Sequence, residues 1–133
     1  MRASAPSQPA AVVADVGWVN GLAAIRSLGR NGVRALAVDH RPWALGFRSR
    51  YATPVAAPDP VAHEDGFVAA LARLGERLDG PVPAFATHDE HINVLARRRA
   101  DIGAVFRPCT PEWDVLEAIQ RKRHQLDVAV ETG

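Results

Sequence analysis

Lys122 is the only lysine in the chain; every other member of its 16 Lys+Arg is arginine. The two cations do different chemistry. An ammonium is a compact point charge suited to a phosphate oxygen, whereas a guanidinium is a planar fork. This ammonium stands in Gln120-Arg121-Lys122-Arg123-His124, within a helical run that ends at Gly133. By count alone it is either a phosphate contact or an accident of an arginine-rich composition. Gly17-Trp18-Val19-Asn20-Gly21 follows an apolar run and opens a helix, but it lacks the G-x-G-x-x-G spacing. Trp18 also fills the space a pyrophosphate needs, which argues against a dinucleotide. Asn20 reads either as a cap for that helix or as a ligand contact. Asp39 ends the second apolar run, where a ribose-binding acid sits in dinucleotide folds, and the missing glycine fingerprint leaves that role without support.

His88 and His91 form an H-x-x-H pair one helical turn apart. No third ligand accompanies them, so capping and surface exposure account for the pair and no metal is expected. His40 and His63 have no evident partner. Arg48-Ser49-Arg50-Tyr51 either anchors its own loop or presents Arg50 to an anion. No serine or cysteine sits beside a plausible base, so the chain shows no complete nucleophilic site.

The elements that must position these residues alternate. Ala11–Ala14 reads as a buried strand, followed by a helix with Leu22, Ile25 and Leu28 on one face. Val33–Val38 is a second strand, closed by Asp39-His40-Arg41-Pro42, and Tyr51–Ala56 a short third. Phe67, Leu71, Leu74 and Leu78 form an amphipathic stripe at spacings of four, three and four. Val82–Ala86 is a fourth strand. Thr87-His88-Asp89-Glu90 has the pattern of a capping box, with Thr87 at N-cap and Glu90 at N3, opening a helix that carries Ile92, Leu95 and Ile102. Ala104–Phe106 is a fifth strand. Thr110-Pro111-Glu112 predicts a last helix capped by Thr110, with a break near Arg121 and Gly133 as its C-cap.

Strands separated by helices predict an α/β fold: a Rossmann-like, doubly wound parallel sheet of about five strands in the order 3-2-1-4-5. A crevice then opens at the carboxyl ends of the first and fourth strands. The 17–20 and 87–90 loops face each other there, with the 39–41 turn beside them.

The 133 residues suffice for one domain with a real core. A net charge of +1 argues against a nucleic-acid surface, and Arg97-Arg98-Arg99 reads as a solvated helix end. A single cysteine, Cys109, excludes an internal disulfide and a cysteine-based zinc site, which fits a reducing, cytoplasmic location. The small, polar residues 1–9 predict a disordered tail. No apolar run is long enough for a membrane span or a signal segment.

Gly17-Trp18-Val19-Asn20-Gly21-Leu22-Ala23, Arg26-Ser27-Leu28-Gly29-Arg30, Ser49-Arg50-Tyr51 and Thr87-His88-Asp89-Glu90, in this order and spacing, resemble the N-terminal domain of ATP-grasp enzymes. The likeness is to the carboxylate–amine ligase, D-aspartate-ligase-like branch, and runs from about Ala11 to Gly133. It implies a Rossmann-like pre-ATP-grasp domain over residues 10–109, then linker helices and the truncated start of the ATP-grasp domain over 110–133. In that family the ATP-binding domain opens with a helix that often begins Asp-Lys and ends near a glycine eleven residues after the lysine. Lys122 precedes Gly133 by eleven positions, with Arg121 in place of the acid. The resemblance therefore implies that Lys122 contacts the ATP phosphates. It implies that ATP and magnesium serve an intact enzyme that activates a carboxylate as an acyl phosphate for attack by an amine. The magnesium ligands and a second phosphate lysine would belong to the missing ATP-grasp domain, on the same or a separate chain. Asn20, His40, Arg41, Arg50, His88 and Asp89 become candidate substrate contacts in the crevice. Leu116, Ile119, Leu126 and Ala129 form an apolar surface that calls for a partner, and a homo-oligomer is also open. The 133 residues alone are expected to be inactive. A stand-alone binding or regulatory module of the same fold is the alternative.

Overall fold

A computed structural model describes residues 8–133. The tail expected over residues 1–9 lies outside the described residues except for its last two. Those two are tied down: Gln8 Nε2 donates to the Gly32 carbonyl at 3.1 Å, and Arg34 N donates to the Pro9 carbonyl at 2.8 Å.

Five parallel strands, β1 (Ala10–Ala14), β2 (Arg34–Asp39), β3 (Ala52–Ala56), β4 (Val82–Ala86) and β5 (Phe106–Pro108), form one sheet in the order β3-β2-β1-β4-β5. Four helices accompany them: α1 (Val19–Arg30), α2 (Glu64–Gly75), α3 (Asp89–Arg97) and α4 (Trp113–Thr132). The fold is α/β, Rossmann-like and doubly wound. Among the described residues no helix is long and apolar enough to cross a membrane.

Side chains alternate across each strand, and the two faces fill separately. Val12, Ala14, Leu36 and Val38 face α2 and α3, where Phe67, Leu71, Leu74, Val94 and Leu95 close the larger core. Val13, Ala35 and Ala37 face Ile25 of α1 together with Val16 and Ala44. The central strands β1 and β2 are buried on both faces, which is why they read as unbroken apolar runs. Pro54, which cannot donate to a ladder, sits on the edge strand β3.

Several expected boundaries move, and α2 ends at Gly75, so Leu78 of the expected stripe lies beyond it. α3 begins at Asp89 with His88 at its N-cap and ends at Arg97, so Ile102 lies in the following turn, although it is fully buried there. Thr87 does not cap the helix, because His88 holds the N-cap position, and the Thr87 hydroxyl donates to the Asp15 carbonyl at 2.7 Å. α4 starts at Trp113 rather than beside Thr110 and runs without a break through Arg121. A run of Glu, Ala, Ile, Gln and Arg with no Gly or Pro gives no reason for a break. Similarly, β5 occupies 106–108 rather than 104–106.

Arg97, Arg98 and Arg99 are not a solvated helix end. Arg97 pairs with Glu64 and lies 5.3 Å from the Trp113 ring. Arg98 reaches Glu64, Asp65 and Asp101 at 3.2, 2.8 and 2.7 Å. Arg99 donates to the Thr110 carbonyl at 2.9 Å. The three point in different directions, as successive helical residues must, and each direction ends on an acceptor.

Candidate functional site

Going from β3 towards β1 the chain winds one way, and from β4 to β5 the other, so the strand order reverses between β1 and β4. A crevice opens there at the carboxyl ends. Three strand ends deliver titratable groups to it. Asp15 follows β1 directly, Asp39 is the last residue of β2, and His88 follows β4 by one residue. His91 enters from the first turn of α3.

Asp15 is 4% exposed and Asp39 2% exposed, so both carboxylates are cut off from bulk water. Arg41 compensates them together. Its Nη1 lies 3.0 Å from Asp15 Oδ1 and 3.2 Å from Asp39 Oδ2, and its backbone N–H donates to Asp39 Oδ1 at 2.8 Å. The guanidinium also lies 5.5 Å from the Trp18 ring and 5.7 Å from the Trp43 ring. The two indoles meet edge-on at 5.7 Å and are each about half exposed. They roof the ion pairs, and an arginine lying against aromatic rings in a partly desolvated place gains cation–π attraction.

The other oxygen of Asp15 faces the histidines. His88 Nδ1 lies 2.5 Å from Asp15 Oδ2, and His91 Nδ1 lies 3.8 Å from the same oxygen. An ionised carboxylate only accepts, so His88 carries a hydrogen on Nδ1 and its Nε2 points away from Asp15. His91 is 5% exposed, packs edge-on against Phe67 at 5.6 Å, and its Nδ1 has no hydrogen-bond partner.

Burial pushes the Asp15 carboxyl up, but the hydrogen bond from Arg41 and the electrostatic influence of His91, His88 and Arg41 outweigh it. The carboxyl ends below the usual aspartate value. Burial pushes the His91 imidazole down, and Asp15 and Asp39 restore only part of that loss. Asp15 is therefore an anion at neutral pH and His91 is neutral. The Asp15 backbone has φ 63°, in the left-handed region. It is held there by its own N–H to the Val38 carbonyl and by the Thr87 hydroxyl on its carbonyl. A non-glycine residue fixed in this way marks strain that the surroundings impose.

The glycine motif has a structural use. A Cβ on Gly21 would lie 2.6 Å from Val16 Cα, so Gly21 lets α1 pack against the chain leaving β1. A Cβ on Gly17 would occupy the place of Arg41 Nη1, so Gly17 makes room for the guanidinium.

The sequence candidates divide. Arg41 and His88 join the cluster directly. His40 stands at its rim, 3.8 Å from Asp39 Oδ1 and 4.0 Å from Asp59 Oδ2. Asn20 and Asp89 are exposed residues in the first turns of α1 and α3. Asn20 does not cap α1, because Trp18 occupies that position with no side-chain bond. Arg50 is not in the crevice. It precedes β3, at the amino end of the sheet, where Nη2 donates to the Tyr51 hydroxyl at 2.7 Å and the guanidinium covers the same ring at 4.8 Å. Lys122 is exposed on α4, beside Asp114, Val115, Ala118 and Ile119. His91 is buried rather than exposed, because the carboxylate it faces comes from β1.

Asp15, Asp39 and His91 were not picked out as a site by sequence reasoning. The available signal was positional: titratable residues lie at or just beyond the carboxyl ends of β1, β2 and β4. Among the described residues no group of three or more His, Cys, Asp or Glu is arranged to hold a metal ion. An apolar groove of about 400 Å³, lined in part by Pro9, Leu28, Leu78, Pro81 and Phe85, lies at the opposite, amino end of the sheet. Compared with known proteins, the chain matches no protein family, no curated protein and no solved structure.

Proposed function

We propose that this chain is the substrate-side domain of an ATP-dependent carboxylate–amine ligase of the ATP-grasp kind, and that it works with an ATP-grasp part on the same or another chain. The observation that carries this reading is α4. It is a 20-residue helix with no buried residue, and it leaves Val115, Ile119, Leu126, Val128 and Val130 exposed. A helix this long owes most of its stability to packing, so an uncovered apolar surface implies a body that covers it. Lys122 shares that helix, exposed and without an ion-pair partner among the described residues, and so is free for a phosphate. ATP held beside it would supply the phosphoryl group that activates a carboxylate. Magnesium falls to the ATP-grasp part, because no described cluster fits it.

The test is to read the frame beyond the Gly133 codon and the adjacent genes, then assay the encoded ligase for ADP release. Amine- and carboxylate-dependent ADP release supports the reading. A stop, with no neighbouring chain bearing a second phosphate lysine and paired acidic ligands, overturns it.

One observation favours a second reading, a free-standing binding module. The Asp15, Asp39, Arg41 and His88 cluster is complete within this chain and needs no residue from elsewhere. Ligand binding by the 133-residue chain, with no ADP release by any encoded assembly, favours the module.

A further inference from the structure

The charge of the crevice states which ligand it accepts. Asp15 and Asp39 bring two negative charges to one place, and Arg41 returns one positive. Arg41 has both carboxylates on one nitrogen, so its single positive charge is already set against two negative ones. A ligand carboxylate would raise the local charge from one excess negative to two. An ammonium would bring it to zero. At the short range and reduced dielectric of a crevice, that difference decides between them.

The hydrogen-bond inventory agrees. With Nδ1 engaged on Asp15 Oδ2, His88 turns Nε2 away from the carboxylate, and its side chain is 38% exposed at the mouth. Behind it, His91 Nδ1 is buried without a partner and directed towards the same carboxylate at 3.8 Å. Thr87 Oγ1, 3.2 Å from His88 Nδ1, and the flanking Asp89 complete the polar surroundings.

We propose that this crevice binds the ammonium group of a primary amine, with His88 Nε2 as the acceptor of its N–H and its proton and Asp15 as the residue that orients His88. This deepens the ligase reading and rests on it for the fate of the amine. The proton step balances within the pair: an N–H bond of R–NH3+ breaks, its electron pair stays on nitrogen, and an Nε2–H bond forms, giving R–NH2 and imidazolium. Asp15 offsets the imidazolium charge. In the ligase, the freed lone pair forms the C–N bond at an acyl phosphate carbon as the C–O bond to phosphate breaks.

The experiment uses the 133-residue chain and three probes of similar size: butylamine, tetramethylammonium and butyrate. The readouts are the ring nitrogen resonances of His88 and the fluorescence of Trp18 and Trp43 in a Trp113→Phe background. Butylamine should shift His88 Nε2 saturably. Tetramethylammonium, which has the charge and no N–H, should bind about tenfold or more weakly, and butyrate should leave the resonance in place. Asp15→Asn should weaken butylamine about tenfold. If that variant does not fold, His88→Gln serves, since His88 is partly exposed, and it should lose the discrimination between the two cations. Equal binding of both cations, stronger binding of butyrate, or no saturable shift with butylamine each overturns the proposal. Butylamine binding with no ADP release by the encoded ligase sinks the ligase reading alone. ADP release with an unmoved His88 sinks the amine site alone.

Discussion

Arg41 lies across Asp15 with Nη1 3.0 Å from Oδ1, and the same nitrogen reaches Asp39 at 3.2 Å. One guanidinium therefore pairs with two carboxylates whose side chains are 5% and 1% exposed. Removing it leaves both anions buried without a cation. Arg41→Ala should cost about 3–5 kcal/mol of unfolding free energy, the range for breaking a buried pair from one side. Arg41→Lys should fall between, because a point ammonium has no planar fork with which to reach two carboxylates and lie against two indoles at once. Urea unfolding measures both. A loss under about 1 kcal/mol for the alanine variant would mean the carboxylates find water or protons instead.

Gly17 and Gly21 separate two kinds of crowding. At Gly21 an added methyl meets the Val16 and Asp15 backbone, which cannot move without shifting α1, so Gly21→Ala should cost about 1–3 kcal/mol. At Gly17 it meets only the end of Arg41. Gly17→Ala should therefore act through Arg41 and lose its effect once that side chain is gone. On an Arg41→Ala background the added cost should be under about 0.5 kcal/mol. An additive double variant would show that Gly17 has another use.

His91 and Asp15 link folding to pH with the same sign. His91 binds its proton less readily folded than unfolded, so its contribution is complete above its unfolded value of 6.5 and is lost as pH falls through its lower folded value. Asp15 contributes above its unfolded value of 3.8 and loses that contribution as pH falls through its own lower folded value. The charged groups facing His91 are Asp15, Asp39, Arg41 and Asp59. Acidification from about pH 7 to about pH 5 should lower the urea midpoint through His91 first. His91→Gln should flatten that fall, whatever it does to the midpoint at neutral pH. A variant whose midpoint drops as steeply as the parent's would place the titration elsewhere.

The order of elements was legible because it depends on local pattern. Strands buried on both faces read as apolar runs, and the Phe67, Leu71, Leu74 stripe reads as one helix face. The crevice loops followed from the strand order. The cluster within it was not legible, because its partners are set by which strand ends lie side by side. His88 and His91 look like an isolated pair until β1 brings Asp15 between them and the sheet. Thr87-His88-Asp89-Glu90 has the letters of a capping box, but α3 starts one residue later with His88 at its N-cap, and the Thr87 hydroxyl donates to the Asp15 carbonyl. Arg50 was misplaced for a related reason. It directly precedes the third strand, and in a parallel sheet the residue before a strand lies at the amino end, away from a crevice at the carboxyl ends.

The attachment of α4 is lopsided, which makes its dynamics a prediction. Its links to the rest of the domain are Gln120 Nε2 donating to Asn93 Oδ1 at 2.7 Å and the Arg97 guanidinium over Trp113. Both lie in its first half. The amides after Arg123 should exchange about a hundredfold or more faster than those of β1 and β2. In an assembly with an ATP-grasp part they should become protected. Slow exchange over Arg123–Thr132 in the 133-residue chain would mean the exposed apolar residues are already covered, by a second copy for instance, and sedimentation would then show the dimer.

Lys122 offers the sharpest separation between a structural and a functional role. Its side chain is exposed on α4 and has no ion-pair partner among the described residues. Nothing in the fold therefore depends on its charge. Lys122→Met should leave unfolding of the 133-residue chain within about 0.5 kcal/mol of the parent. In the proposed assembly with an ATP-grasp part, the same change would remove an ammonium from developing phosphate charge. ADP release should then fall about a hundredfold, as for loss of one positioned donor to a transition-state oxyanion. Lys122→Arg should recover only part of that rate, because the fork places its charge differently from a point ammonium. ADP release unchanged in the methionine variant would return the lone lysine to an accident of composition.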